Sequence, residues 1–129
     1  MEIMVLGGAV EIDLDAVAAD PATLRRQIAA YERGDRRLFD LETRAPTPFV
    51  GRVMDEMSAI PYGETRTYGE IATALDSAPV AVGQACGSNP VPIVVPCHRV
   101  VGSDGGLHGY SAPGGVALKR RLLEHEGAR

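Results

Sequence analysis

Apolar and polar positions alternate near the start of the chain, where Val10, Ile12 and Leu14 are interleaved with Glu11 and Asp13. A period of two puts one set on a buried face, so residues 2–14 predict a β-hairpin with Gly7-Gly8 as its two-residue turn. The period then lengthens. Asp20-Pro21 sets a capping side chain before a proline at the first helical position, and Leu24, Ile28 and Tyr31 follow at i, i+4 and i+7, with Gly34 as the stop. Residues 35–46 form a charged connector ending in Ala45-Pro46. Thr47-Pro48 repeats the helix start, and Phe49, Val53, Met57 and Ile60 continue it as a core helix whose methionines read as packing side chains.

After the turn Pro61-Tyr62-Gly63, Thr67 and Glu70 have the spacing of a capping box and open a short helix through Leu75. A turn over Asp76–Pro79 leads into a second helix, roughly 79–87, built almost wholly of small side chains. Helix, turn, helix is the outline of a helix-turn-helix unit, although any two packed helices share it. Prolines at 90, 92 and 96 then exclude a central strand or a helix, and predict a stiff, buried, extended segment leading to Cys97-His98-Arg99. Residues 102–115 read as glycine-rich turns, and Val116–Glu126 as the last helix, with Leu118 and Leu122 facing inward.

A length of 129 residues suits one core, or one core with a small appended lobe. No apolar run reaches the roughly 18 residues of a membrane span, and no signal peptide opens the chain, so a cytoplasmic protein with no membrane partner is expected. The net charge of −4 weighs against nucleic acid as a partner, but its distribution does not. Between Ser77 and Arg121 the one acidic residue is Asp104, against Arg99, Lys119, Arg120 and Arg121, so this stretch could face an anion. Twelve of the thirteen basic residues are arginine, which fits either a saline interior or a GC-rich genome. Two cysteines, Cys86 and Cys97, are too few for a disulfide framework and lack paired zinc spacing.

A cysteine directly before a histidine raises the question of a nucleophile. In an extended segment the two side chains point to opposite sides, so a proton would pass from Cys97 to His98 through a water. A free thiol titrates near ~8.5, so a base or a cation must supply thiolate at neutral pH. Glu126 could hold the other imidazole nitrogen if the last helix packs behind the segment. On adjacency alone, a buried inert cysteine beside a surface histidine is the commoner arrangement. Tyr68 by itself reads as a packing residue, and Glu126 as a solvated one.

The wider string changes that balance. Asn89-Pro90-Val91-Pro92-Ile93-Val94-Val95-Pro96-Cys97-His98-Arg99-Val100-Val101-Gly102 resembles the active-site segment of the O6-alkylguanine-DNA alkyltransferases, the methylated-DNA–protein-cysteine methyltransferases. Ile60 to Thr65 with Thr67-Tyr68, Ala81-Val82-Gly83, Gly109-Tyr110-Ser111, and Lys119 with Leu122-Leu123 and Glu126-Gly127 match in the same order. The resemblance is strong over 47–127 and faint over 20–46. It implies an α+β protein: a reduced hairpin-and-helix lobe over 1–45, then a mainly helical, winged-helix-like domain with a helix-turn-helix over 46–129. It implies single-turnover transfer of an alkyl group from O6-alkylguanine in duplex DNA to Cys97, by a monomer bound in the minor groove, without metal or organic cofactor. His98 would act as base through water, Glu126 would orient it, and Tyr68 would donate a proton to the leaving guanine. Asn89 would brace the turn and Lys119 would steady the active-site loop. Pro92, Tyr110 and Ser111 would wall a pocket for the flipped base. Thr67, Tyr68, Val80, Ala81, Gly83, Gln84 and Arg99 would meet DNA.

Three features depart from the family pattern. Val80 stands where an arginine usually enters the base stack, so duplex repair would be slow, or Arg66 would substitute. Ala112-Pro113 resemble an insertion beside the pocket wall, and the N-terminal region is short. Two other functions compete. A lesion-binding protein without transfer activity would have no use for the cysteine this chain keeps. A redox-sensitive DNA-binding module would pair Cys86 with Cys97.

Overall fold

A computed structural model of the chain describes residues 1–107 and 115–129. The N-terminal hairpin forms as β1 (Glu2–Val5) and β2 (Gly8–Glu11), antiparallel, with Ile3, Val5 and Val10 buried. Its turn is Leu6-Gly7 rather than Gly7-Gly8. Both turn residues have positive φ, 48° and 81°, as a type I′ turn requires. Gly8 pairs with Val5 inside the strand, and a Cβ there would lie 2.9 Å from Leu118 Cδ1. Its missing side chain thus serves a distant contact and not the turn. Leu14, expected on the inner face, is exposed and begins a 3-10 turn over Leu14–Ala16, capped by Asp13.

Helix α1 (Pro21–Glu32) starts as its sequence dictates, with the Asp20 carboxylate accepting from the Thr23 N–H at 2.7 Å. Leu24, Ile28 and Tyr31 are buried, and Gly34 takes the left-handed conformation that ends the helix. The connector is pinned to the chain before α1: Ala18 N–H donates to Glu42 O, and Arg44 N–H to Ala16 O. Helix α2 (Pro48–Ser58) is capped by Thr47 and buries Val50, Val53, Met54 and Met57. Side chains from both sides of Ala45 share one core, among them Ile12, Leu24, Met57 and Leu122.

A short parallel pair follows that the sequence did not announce: β3 (Arg66–Thr67) against β4 (Val100–Val101). It ties the start of α3 (Tyr68–Ala74) to the end of the cysteine segment. Helix α3 carries the full capping box, with Thr67 Oγ1 accepting from Glu70 N–H and Glu70 Oε1 accepting from Thr67 N–H, both at 3.0 Å. After a turn through Asp76, α4 (Pro79–Gly87) packs on α3 and α2. Helix α5 (Gly115–His125) closes the chain and sets Leu118, Leu122 and Leu123 in the interior. No helix among the described residues is long and apolar enough to cross a membrane.

Candidate active site

The chain leaving α4 turns on Asn89. Its Oδ1 accepts from Val91 N–H at 3.1 Å and its Nδ2 donates to Val95 O at 3.0 Å, so one buried amide holds both ends of the following loop. The loop closes on itself. Val95 N–H donates to Val91 O at 3.0 Å, and Ile93 sits at φ 75°, uncommon for a β-branched residue. Residues 90–96 are therefore a turn rather than the extended segment expected. Prolines suit it because they remove donors that a turn leaves without acceptors. Cys97–Arg99 likewise form a 3-10 turn, with Cys97 N–H bonded to Val95 O at 2.8 Å and Arg99 N–H to Pro96 O at 3.0 Å. Strand-like alternation of Cys97 and His98 does not apply.

His98 is fully buried, and its Nε2 lies 2.7 Å from Glu126 Oε2. Glu126 follows the last residue of α5, and its carboxylate gathers further donors. Arg99 Nε reaches Oε1 at 2.8 Å and Arg99 Nη2 reaches Oε2 at 3.0 Å, while Nη1 donates to Ile60 O at 2.8 Å. The Tyr31 hydroxyl, from α1, donates to Oε2 at 2.7 Å. Arg99, expected to meet DNA, is 7% exposed, and its donors are directed inward to Glu126 and Ile60 O. A buried carboxylate needs a cation beside it, and Arg99 is that cation.

The electrostatics follow. Burial pushes the Glu126 carboxyl up, but the bonds from His98, Arg99 and Tyr31 outweigh it and bring it down to about 2. Burial lowers His98 from the usual imidazole range against the pull of Glu126, so the ring rests neutral at pH 7. With Glu126 an acceptor only, Nε2 of a neutral His98 carries the hydrogen and Nδ1 keeps its lone pair. That Nδ1 is buried and has no partner among the described residues.

Cys97 opens on a cavity of about 670 Å³ whose lining includes Tyr68, Cys86, Asn89, Pro92 and Lys119 on one side and residues 9–15 of the hairpin on the other. Lys119 is buried on α5, its Nζ donating to the Tyr68 hydroxyl at 3.3 Å and lying 5.6 Å from the ring centroid. Burial, with Cys86 and Cys97 nearby, pushes the Tyr68 phenol up to about 12. Burial also lowers the Lys119 ammonium, and the two cysteines act against that. The structure thus brings Cys97, Tyr68, Asn89, Lys119 and Pro92 to one cavity, with His98 and Glu126 directly behind. Tyr110 and Ser111, like Ala112-Pro113, lie outside the described residues.

The surface residues fall into two groups. Val80, 72% exposed, and Gln84 project from α4, with Ala81 and Gly83 half-buried beside them, while Val82 and Ala85 turn inward. Thr67 is committed to its cap, and Arg66 lies 3.7 Å from Glu56. Sequence reasoning did not assign Tyr31 to the site. It was read as one more apolar position of α1, and nothing in its spacing marks a hydroxyl aimed at residue 126.

Fold and site together define an α+β helix-turn-helix protein with a cysteine–histidine–glutamate centre. Residues 48–128 match the family described as 6-O-methylguanine DNA methyltransferase, DNA binding domain. The chain belongs to that family. It is 49% identical over 106 residues to the methylated-DNA–protein-cysteine methyltransferase of Mycobacterium bovis, covering 80% of this chain and 63% of that protein. The corresponding protein of Archaeoglobus fulgidus is 44% identical over 111 residues, covering 79% of this chain and 72% of its own length. Mycobacterium tuberculosis OGT, solved in complex with DNA, superposes with a TM-score of 0.76 at 46% identity, covering 83% of this chain and 67% of that one. This chain therefore spans somewhat less than two thirds of the Mycobacterium bovis relative's length.

Proposed function

We propose that this protein repairs alkylated DNA directly, moving the alkyl group from O6 of a guanine in duplex DNA to Cys97 in one irreversible step. The observation that carries the reading is the shared cavity, with a cysteine, a phenol and a buried lysine on its wall and an imidazole backed by a carboxylate next to the cysteine. A water between Cys97 and His98 Nδ1 carries the thiol proton to the ring, and Glu126 stabilises the imidazolium that forms. The Cys97 sulfur then bonds to the alkyl carbon as the carbon–O6 bond breaks, and the electron pair stays on guanine. Tyr68 supplies the proton that neutralises the departing base, and the Lys119 ammonium eases loss of that proton by donating to the phenol oxygen. The cysteine ends as a thioether, which has no route back to thiolate.

DNA would be met in the minor groove by the outer face of α4, where small side chains let backbone and duplex approach, and the damaged base would swing into the cavity. Val80, exposed near the start of α4, would be the side chain that enters the stack. Residues 46–129 would carry the DNA contacts and the chemistry, with 1–45 a reduced lobe, and the protein would act as a cytoplasmic monomer. The test is incubation with duplex DNA holding O6-methylguanine, followed by mass measurement of the Cys97 peptide. One added methyl group is expected, and none in Cys97→Ala. A folded protein that binds the lesion and leaves Cys97 unmodified would overturn transfer in favour of lesion binding alone.

A further inference from the structure

Glu126 Oε2 is a crowded atom. It accepts from His98 Nε2, from Arg99 Nη2 and from the phenol of Tyr31, which reaches it from a helix 95 residues away in sequence. We propose that Tyr31 is a positioning residue of the alkyl-transfer site: by donating to Glu126 Oε2 it sets how strongly His98 draws the proton from Cys97. This rests on the transfer reading above and extends it to a side chain of the N-terminal lobe.

The physical case has three parts. First, the phenol is always a donor. Tyr31 is fully buried, and burial together with the neighbouring carboxylate holds its ionisation far above the usual tyrosine range. Second, it is fixed in place. Its ring sits 5.1 Å from that of His125, 5.8 Å from Phe39 and 6.3 Å edge-on from Tyr62, and its carbonyl oxygen lies 2.8 Å from His125 Nε2. Third, it competes. Hydrogen bonds into one oxygen divide its charge, so what Tyr31 and Arg99 take is withdrawn from His98. The charged groups acting on His98 are Glu126, which favours its protonation, and Arg99 and Lys119, which oppose it. Those acting on Tyr31 are Glu126, Arg99 and the Tyr62 phenol. Removing the Tyr31 hydroxyl leaves Glu126 ionised, held by Arg99, and returns charge to His98. The ring becomes more basic, and the acid limb of Cys97 reactivity moves to higher pH.

Two readouts separate this claim from the transfer reading. Methyl transfer from duplex DNA and alkylation of Cys97 by iodoacetamide without DNA are both followed by peptide mass, from pH 5 to 9. In Tyr31→Phe the Cys97 alkylation rate at pH 6, relative to pH 8, should fall roughly three- to tenfold below the wild-type ratio. Tyr62→Phe is the control, since its hydroxyl meets His125 O at 3.4 Å and not Glu126, and its ratio should stay at the wild-type value. A folded Tyr31→Phe protein with the wild-type ratio would overturn the proposal and leave transfer untouched. Wild-type protein that never takes methyl from DNA would sink the transfer reading, while the iodoacetamide profile still reports on Tyr31. Should the variant not fold, NMR of the wild type decides. A slowly exchanging Tyr31 hydroxyl proton with a cross-peak to the His98 ring is expected, and its absence would overturn the proposal.

Discussion

At the scale of single residues, the Glu126 carboxylate binds the site together and makes it sensitive to acid. His98 has a folded ionisation below its ordinary 6.5, so the unfolded chain takes up a proton first and stability falls as pH drops through that value. Glu126 is depressed from 4.5 to about 2, so its contribution is complete above 4.5 and is lost as pH falls towards 2. Urea midpoints measured from pH 8 to pH 2 should therefore decline in two stages, and Glu126→Gln should weaken the second, leaving the smaller share of the lowered Asp20 cap. The same substitution leaves the Arg99 guanidinium buried without its anion, at a cost of about 3–5 kcal/mol in urea unfolding. The approach of Glu126 to His98 was legible because the Pro96–Arg99 string and, separately, Glu126-Gly127 match the family pattern. Arg99 was misplaced and Tyr31 missed, because a charge that turns inward and a phenol on an apolar helix stripe look, in sequence, like any surface arginine or core tyrosine.

At the scale of elements, α1, α2, α3 and α4 were readable from caps, prolines and periodicity, which are local signals. What failed was tertiary. Gly8 was assigned to the turn, whereas it admits Leu118 to the face of β2. Gly8→Ala should cost about 1–3 kcal/mol in thermal or urea unfolding, since Leu118 is itself buried and has little room to shift. The proline-rich segment reads as extended in sequence, because proline announces what it forbids and not which turn it permits. Asn89 supplies that turn. Asn89→Ala removes both of its bonds to the loop, should lower stability by about 1–3 kcal/mol, and should slow Cys97 alkylation more than that loss explains. The pairing of β3 with β4 escaped notice because two-residue strands carry no periodicity.

At the scale of the whole molecule, the −4 charge proves uneven: residues 1–45 hold nine acidic and six basic side chains, residues 46–129 eight and seven. The near-neutral part also carries α4 and Cys97, while residues 9–15 of the acidic part line the other side of the cavity, so the charge of each part says more about an anionic partner than the net value does. With Val80 exposed at the start of α4, Val80→Arg should raise the transfer rate on duplex DNA several-fold and leave single-stranded DNA unchanged, as read by quenched-flow sampling of both substrates. The central claim is that each molecule accepts one alkyl group on Cys97 and stops. Duplex DNA carrying isotopically labelled O6-methylguanine, supplied in large excess, tests it directly. The label on protein should plateau at one per molecule, all of it on Cys97, with one guanine restored for each. Label that never reaches Cys97, or guanines restored in excess of protein molecules, would contradict it.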